Sequence, residues 1–411
     1  MNCSRSCLPI GNWKLLIVNC QFCFLLSATW ALLTFPSQWV KGKESSSPEE
    51  EAIAALKKAG ARIGQNPGMP VVSVEFFRIP VNDALLAHLA ALKELRQLQF
   101  YETQMTDVRL KYLKNLFKLE RLELRRTRVE GPGLEHLKGL KNLESLDLSF
   151  TNVTGAGLEH LAGLSNLRKL ELRGNRVTDN DLENLKSLRT IEDLDLCRTR
   201  VTGRGLAHLK GIVRLRFLDL TRADVTDEGL AQVKDLKQLQ WLSLEETSVT
   251  DAGLVHLQQL QQLASLNLSF DRITGEGMAY LKQLNKLETL RLSYTKMTDA
   301  GLAHLKTLSA LASLELADTQ VTDAGLAHLK GLRLVELLLH YDKVTDAGLE
   351  HLKGQKELRL LNLAETNVTD AGLRHLEDLR NLKSLDLYST KVTKAGLAKL
   401  QKSLPKLEIH R

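Results

Sequence analysis

Two sets of regularly spaced acidic residues are the first candidates for chemistry in this sequence. One set follows a Val-Thr-like pair and comprises Asp83, Asp107, Asp179, Asp227, Asp251, Asp299, Asp323, Asp346 and Asp370. The other is an unbroken run at 24-residue spacing, here called the acidic row: Glu123, Asp147, Glu171, Asp195 and Asp219. Carboxylates can transfer protons, bind cations or accept hydrogen bonds from the N–H groups that begin a helix. The elements that position them decide among these roles.

A third candidate set is a column of histidines, and a metal site is the chemistry it suggests. Its members are His88, His136, His160, His208, His256, His304, His328, His351 and His375. They fall on predicted neighbouring helices, whose axes lie about 8–10 Å apart, whereas zinc needs ligand atoms about 2 Å away. We therefore predict a packing role. With no phosphate loop, HExxH motif or nucleophile elbow in the sequence, we predict a protein that is not an enzyme and has no cofactor.

Composition excludes several classes of protein. The chain has 411 residues, of which 43% are hydrophobic but only 5% aromatic, so it is a folded protein with an aliphatic core. Its net charge of +7 is 56 basic minus 49 acidic residues, interleaved along the chain, which gives little reason to expect nucleic acid as a partner. After residue 23 the only cysteine is Cys197, so no disulfide can hold the fold.

An internal repeat sets the architecture. The motif V-T-D-A-G-L recurs fourteen times at 24-residue spacing, with one spacing of 23 between Val321 and Val344. In each copy, leucines at alternate positions predict a short strand, and leucines three apart predict a helix of two to three turns. One copy exposes its leucines, and stacking buries them in a continuous core. We predict an α/β solenoid shaped as a horseshoe, with a parallel concave sheet and convex helices.

The pattern L-x-x-L-x-L-x-x-T/N, seen for example from Leu143 to Thr151, resembles leucine-rich repeats. The V-T-D-x-G-L segment is similar to their cysteine-containing subtype, and comparable arrays occur in internalin-like and other exported bacterial proteins. The resemblance covers about 80% of the chain. It implies the horseshoe fold and a binding role rather than catalysis, but it names no partner.

The N-terminal segment indicates export. Residues 15–35 carry no charge, follow Arg5 and Lys14, and would span roughly 30 Å as a helix. We predict a signal peptide or N-terminal transmembrane anchor over residues 1–36, with the two alternatives nearly even and a wrongly assigned start codon as a third. A linker, residues 37–47, follows. The protein is then membrane-anchored or secreted, with a cytoplasmic location as the alternative.

The next segment predicts a cap for the repeat array. Ser47-Pro48-Glu49-Glu50 forms a capping box with proline in the first turn, and the helix should end at Gly60. A strand after this helix should pair with the first repeat's strand and cover the edge of the sheet. We assign residues 48–70 to this cap and residues 71–411 to the leucine-rich repeat domain.

The predicted binding surface lies on the concave sheet. Side chains that alternate with the core leucines point outward there, and they include large rings at Tyr101, Phe150, Phe217, Trp241, Phe270 and Tyr294. Exposed aromatic clusters are typical of binding hot spots. We predict a protein-docking surface centred on Phe217, Trp241, Phe270 and Tyr294, with the acidic row giving orientation. A self-neutralised sheet is the alternative for that row, and rings that pack on each other to cover the sheet face are the alternative for the aromatic residues. An F-box-like intracellular adaptor is the alternative function.

Overall fold

The computed structural model describes residues 46–66 and 68–411, which belong to one compact unit from Ser46 to Arg411. The predicted signal or anchor, residues 1–36, and most of the predicted linker lie outside the described residues. Within the described part of the chain, no helix is both long and apolar enough to cross a bilayer.

The first helix begins where the sequence predicts. Helix α1 (Pro48–Lys58) has Ser47 as its N-cap, and the Ser47 hydroxyl and the Glu50 carboxylate each accept the other residue's backbone N–H. Gly60 ends it in the left-handed region at φ 92°. Strand β1 (Arg62–Gly64) then pairs antiparallel with β2 (Ser73–Phe77), as predicted, so β1 covers the edge that the repeats would leave open.

The repeats build one continuous sheet of parallel strands from β2 onward, and every strand pairs with its neighbours in sequence order. This confirms the predicted solenoid. After β2, the strands are β3 (Gln97–Tyr101), β4 (Arg121–Glu123), β5 (Ser145–Asp147), β6 (Lys169–Glu171), β7 (Asp193–Asp195), β8 (Phe217–Asp219), β9 (Trp241–Ser243), β10 (Ser265–Asn267), β11 (Thr289–Arg291), β12 (Ser313–Glu315), β13 (Glu336–Leu338), β14 (Leu360–Asn362), β15 (Ser384–Asp386) and β16 (Glu408–His410).

The convex side differs from the prediction of two-to-three-turn helices. Most copies form at most one turn of α-helix and continue as 3₁₀ helix. The α-helices are α2 (Asp83–Ala87), α3 (Gly155–Leu158), α4 (Asp227–Leu230), α5 (Asp299–Leu302), α6 (Asp323–Leu326), α7 (Asp346–Leu352), α8 (Asp370–Leu373) and α9 (Lys394–Ser403). The 3₁₀ segments are His88–Ala91, Asp107–Leu113, Pro132–Leu137, Glu159–Gly163, Asp181–Leu185, Arg204–Gly211, Val233–Asp235, Gly253–Leu257, Glu276–Tyr280, Ala303–Thr307 and Ala327–Leu329.

The leucine spacing explains this difference. Leu158, Leu161 and Leu164 are three residues apart and all fully buried. A 3₁₀ helix has three residues per turn, so it points all three at the core, whereas an α-helix would rotate each successive one away. The leucines of successive copies form a single apolar cluster from Ala52 to Leu407.

A buried glutamine amide compensates for the one short repeat. The 23-residue spacing comes from a residue missing between Leu332 and Leu334. Gln355 stands where most copies have leucine and is only 3% exposed. Its amide nitrogen donates to the Leu329 carbonyl (2.9 Å), and its amide oxygen accepts the Leu334 N–H (3.2 Å). The glutamine therefore satisfies backbone groups that the shortened turn leaves unpaired.

A left-handed residue follows every strand of the fourteen copies. The position three before each motif valine has positive φ throughout; it is Gly174 in one copy and a non-glycine residue in thirteen. Those thirteen are Arg78, Glu102, Arg126, Phe150, Arg198, Arg222, Glu246, Phe270, Tyr294, Asp318, Tyr341, Glu365 and Ser389. This sharp turn leads the chain away from the sheet and sets these side chains along one rim of the concave face.

Candidate functional site

The aspartates after the Val-Thr pair join one repeat to the next. Their place in the motif predicts that each starts its own helix as an N-cap or first-turn residue, and the structure gives the N-cap to threonines such as Thr369, with the aspartate in the first turn. The aspartate instead reaches forward: Asp346 accepts the N–H (2.7 Å) and the hydroxyl (2.6 Å) of Thr369 in the following copy. We call the residues that accept hydrogen bonds in this way the Asp ladder: Asp107, Asp179, Asp227, Asp251, Asp299, Asp323, Asp346 and Asp370.

The ladder also explains the glycine of the motif. A Cβ on Gly372 would lie 2.3 Å from the Asp346 carboxylate of the preceding copy. Only glycine leaves room for that oxygen to approach the start of the next helix. Asp and Gly of the V-T-D-x-G-L motif are therefore partners across repeats, and their function is structural.

The acidic row lies on adjacent strands in register. Glu123, Asp147, Glu171, Asp195 and Asp219 pair in sequence from β4 to β8. Two cations of one copy, Lys169 in β6 and Arg173 just after it, pair with it. Lys169 contacts Glu171 at 2.8 Å, and Arg173 contacts both Asp195 and Asp219 at 3.0 Å. Like charges on neighbouring strands oppose one another, and these two cations offset only part of the row.

Burial shifts the acid–base behaviour of the row. Asp147 is 7% exposed, and this burial, reinforced by the charge of Glu171, raises its pKa to about 7. Burial and the neighbouring Asp219 raise the pKa of Asp195 to about 6, and burial also raises the pKa of Glu123. Part of the row therefore carries protons close to neutral pH, which reduces the mutual repulsion.

One convergence of potential metal ligands exists among residues 46–66 and 68–411. Oxygens of Asp195 and Asp219 and the sulfur of Cys197 all lie within 4.8 Å of one another. The Arg173 guanidinium donates to both carboxylates, and burial raises the pKa of the Cys197 thiol to about 12. A positive charge in place and a thiol that resists ionisation both oppose cation binding, so these residues form a partly neutralised ion-pair cluster rather than a metal site.

The aromatic side chains form two kinds of arrangement on the concave side. Phe270 and Tyr294 stack at 4.4 Å between ring centroids, on the rim after β10 and β11. Phe217 and Trp241 are cross-strand neighbours at the first positions of β8 and β9. Because parallel strands start at one edge of a sheet and end at the other, the two pairs occupy opposite edges of the concave face.

A third aromatic group lies nearer the N-terminus. Phe77 stacks on Tyr101 with 5.1 Å between ring centroids. The guanidinium carbon of Arg125 lies 5.8 Å from the centre of the Tyr101 ring and 5.5 Å from that of Phe150. We call Phe77, Tyr101, Arg125 and Phe150 the Arg–aromatic ladder.

Comparison with known families agrees with this geometry. Models described as Leucine rich repeat match residues 117–177, and also residues 215–232 and 283–306. The chain is a leucine-rich repeat protein. A search of curated proteins found no match to its sequence.

Solved structures share the fold of this leucine-rich repeat protein. An internalin, InlF of Listeria monocytogenes, is 22% identical with a TM-score of 0.61 and covers 88% of this chain and 93% of its own. A leucine-rich repeat protein of Leptospira interrogans is 20% identical with a TM-score of 0.57, covering 81% and 93%. A TDR receptor is 18% identical with a TM-score of 0.54, covering 79% and 57%. The protein therefore resembles internalins in architecture.

The leucine-rich repeat protein brings together only part of the site expected from sequence. Of the four predicted docking rings, Phe270 stacks on Tyr294, while Phe217 and Trp241 lie at the opposite edge of the concave face. Arg125 links Tyr101 to Phe150, a contact that sequence reasoning missed. The signal was Gly174, the one glycine among the left-handed rim positions: a Cβ there would lie 2.6 Å from the Phe150 ring, which rests across it.

Proposed function

We propose that this protein is a non-catalytic scaffold that binds another protein through its concave face. The observation that carries the proposal is the exposure of large rings on that face while the leucine core is already complete. Phe77 is 42% exposed, Phe217 41% and Phe270 47%. Exposed rings of this kind gain free energy when a partner buries them, and they are common in binding hot spots.

The acidic row supports an orienting role beside these rings. It occupies the middle of the concave face in copies that adjoin Phe217 and Trp241. Charges of one sign in a concavity raise the association rate of a partner with the opposite charge, more than they raise affinity. We propose that Phe217, Trp241, Phe270 and Tyr294 supply contact area and that the row aligns the partner.

The adaptor alternative receives no support from the described residues. An adaptor of that kind needs a helical module ahead of the repeats, and between residue 46 and the first repeat the structure describes the single helix α1. We propose instead an exported protein, secreted or anchored through residues 15–35, because that segment is uncharged and follows basic residues. Cell fractionation with mass determination of the mature N-terminus tests this; an uncleaved chain in the soluble cytosolic fraction would reject it.

The binding proposal is tested by capture with the immobilised full chain and two matched variants. The first variant removes the proposed rings by Phe217→Ser, Trp241→Ser, Phe270→Ser and Tyr294→Ser. The control removes four exposed apolar side chains outside the sheet by Val108→Ser, Phe117→Ser, Val213→Ser and Tyr280→Ser. Proteins captured by the unmodified chain, identified by mass spectrometry, should be lost with the first variant and kept with the control. Equal capture by both variants would reject the site, provided that circular dichroism shows both are folded.

A further inference from the structure

We propose that the Arg–aromatic ladder binds an acidic segment of a partner protein, with the Arg125 guanidinium donating hydrogen bonds to a carboxylate of that segment. The inference rests on the proposed function in one respect, since it takes the partner to be a protein. It adds a second contact region, on the first copies of the array, and states the chemistry of what binds there.

The ladder is a continuous structure across four strands. Phe77 and Tyr101 end β2 and β3, Arg125 follows β4, and Phe150 follows β5. The Phe77 and Tyr101 rings stack, and the Arg125 guanidinium carbon lies within 6 Å of the centres of both the Tyr101 and the Phe150 rings, at 5.8 and 5.5 Å. Cation–π contacts with two rings restrict the Arg125 side chain before any partner binds, so binding costs less side-chain entropy.

Arg125 has unused hydrogen-bonding capacity. Its Nε is buried without a hydrogen-bond partner, and within residues 46–66 and 68–411 Arg125 forms no side-chain hydrogen bond and no ion pair, so its Nη groups are the donors that a partner can reach. Its neighbours on the rim are already engaged: Arg78 and Arg126 both contact Glu102, at 2.5 and 2.6 Å. A guanidinium has five N–H donors suited to a carboxylate fork, and leaving them unpaired in a partly buried site is unfavourable.

The surroundings favour an anionic ligand. Four guanidinium groups contact the ladder rings, from Arg62, Arg78, Arg125 and Arg126. They are opposed by the carboxylates of Glu75, Glu102 and Glu123, the last of which lies within the field of Arg125, so these seven groups leave a local charge of +1. This positive end adjoins the acidic row, which begins at Glu123. A nucleic acid, with its uniform phosphate charge, would meet repulsion from the row, whereas a polypeptide can carry an acidic segment of limited length.

The glycine at position 174 shows how the site is built. Thirteen of the fourteen left-handed rim positions carry a side chain, yet the copy next to Phe150 has none. The Phe150 ring lies over that glycine, within 2.6 Å of where a Cβ would stand. Gly174 thereby lets Phe150 lie where Arg125 and Arg126 can contact its face, at 5.5 and 5.3 Å.

The test uses a fluorescent oligoglutamate peptide and the full chain in a low-salt anisotropy titration. We expect saturable binding that weakens about tenfold or more in Arg125→Gln. Arg121→Gln is the matched control, because Arg121 begins β4, the strand that precedes Arg125, and among the described residues has neither an ion pair nor a ring contact. It should weaken binding by less than about twofold. Gly174→Ala, which displaces Phe150, should weaken binding about threefold, while thermal melting shows a folded protein.

Three outcomes would overturn the proposal. They are an absence of saturable oligoglutamate binding, equal losses in the Arg125 and Arg121 variants, and tighter Arg125-dependent binding of a single-stranded oligonucleotide than of the peptide. The Phe217, Trp241, Phe270 and Tyr294 variant should keep oligoglutamate binding, because those rings lie on other copies. If that variant also keeps its captured proteins while Arg125→Gln loses peptide binding, the four rings are rejected as the docking centre of the proposed function. The proposal for the Arg–aromatic ladder then stands.

Discussion

The Asp ladder and the acidic row are two series of carboxylates on one solenoid, and their surroundings are opposite. Asp251 in the ladder accepts four hydrogen bonds from the next copy: two from Thr274 at 3.0 and 2.6 Å, and the N–H groups of Gly275 and Gly277 at 3.3 and 2.9 Å. Asp147 in the row accepts one N–H, from Ser149 at 2.7 Å, and has Glu171 beside it on the next strand.

The difference separates residues that build the repeat from residues that the repeat displays. The ladder carboxylates accept hydrogen bonds from backbone and hydroxyl groups of the next copy, so they strengthen the stacking of copies. The row receives fewer donors per carboxylate, with one N–H at Asp147, and part of it is protonated near neutral pH, so a positive group of a partner would lower its electrostatic energy. Repetition of an acidic residue therefore does not by itself indicate a shared binding role.

Breaking the ladder should give the largest effect. Asp251→Ala leaves the donors of Thr274, Gly275 and Gly277 without acceptors, and we expect it to lower the free energy of unfolding by about 2–4 kcal/mol, measured by urea denaturation. Asp224→Ala is the control, since Asp224 is exposed and has no hydrogen bond within the described part of the chain; it should change stability by less than about 0.5 kcal/mol. Indistinguishable midpoints for the two variants would contradict a structural ladder.

A smaller effect should appear in the pH dependence of the row. The pKa of Asp147 is about 7 in the folded chain and near its ordinary value of 3.8 in the unfolded chain. The folded state therefore binds the extra proton, and the stability from this group is lost as pH rises between these two values. We expect Asp147→Asn to raise the free energy of unfolding by about 1–3 kcal/mol near pH 8 and to flatten its decline with pH.

The control for that experiment is Asp224→Asn, which removes an exposed carboxylate. It should leave the decline in stability with pH as it is in the unmodified chain. If Asp147→Asn left the same decline, the row would not be the origin of the pH dependence.

We expect the smallest effect at the repeat position two residues before the motif valine, where both Asp271 and Asn175 are buried. Asp271 there accepts the N–H and hydroxyl of Thr247 through one oxygen, while its other oxygen is buried without a partner and burial raises its pKa to about 8. Asn175, in the same column, donates to the Leu148 and Leu172 carbonyls. Asp271→Asn should stabilise the fold by about 1 kcal/mol at neutral pH, and by more as the acid ionises.

The reciprocal change is the control for this prediction. Asn175→Asp places an acid oxygen where two carbonyls now accept the amide, so it should destabilise by a similar amount in the same denaturation series. Stabilisation by Asn175→Asp, or no change from either substitution, would show that the unpaired oxygen of Asp271 costs nothing.

Much of the fold could be predicted because the same sequence pattern recurs fourteen times. Leucines at alternate positions define the strands, and the Ser47 and Glu50 pair marks the start of α1. The helix lengths could not be predicted as readily, since leucines three apart satisfy a 3₁₀ helix better than an α-helix. The role of Gln355 was also hidden, because it depends on backbone groups exposed by a missing residue in the preceding copy.

The site was harder to predict than the fold. Alignment of the copies correctly predicts that Phe270 lies beside Tyr294 and that Phe217 lies beside Trp241. It does not show that the two pairs lie at opposite edges of the concave face. The forward reach of Asp346 to Thr369 and the contact of Arg125 with two rings depend on side-chain direction between copies. Nothing within one repeat carries that information.

The left-handed turn after each strand has a consequence for how such a surface can diversify. Arginine, glutamate, aspartate, phenylalanine, tyrosine and serine all occupy this left-handed position here, and no β-branched residue does. Exchanging one of these for another alters what the rim presents while leaving the energy of the turn nearly unchanged. Point substitutions at the rim can therefore give the array a new binding specificity without compensating changes in the stability of each copy.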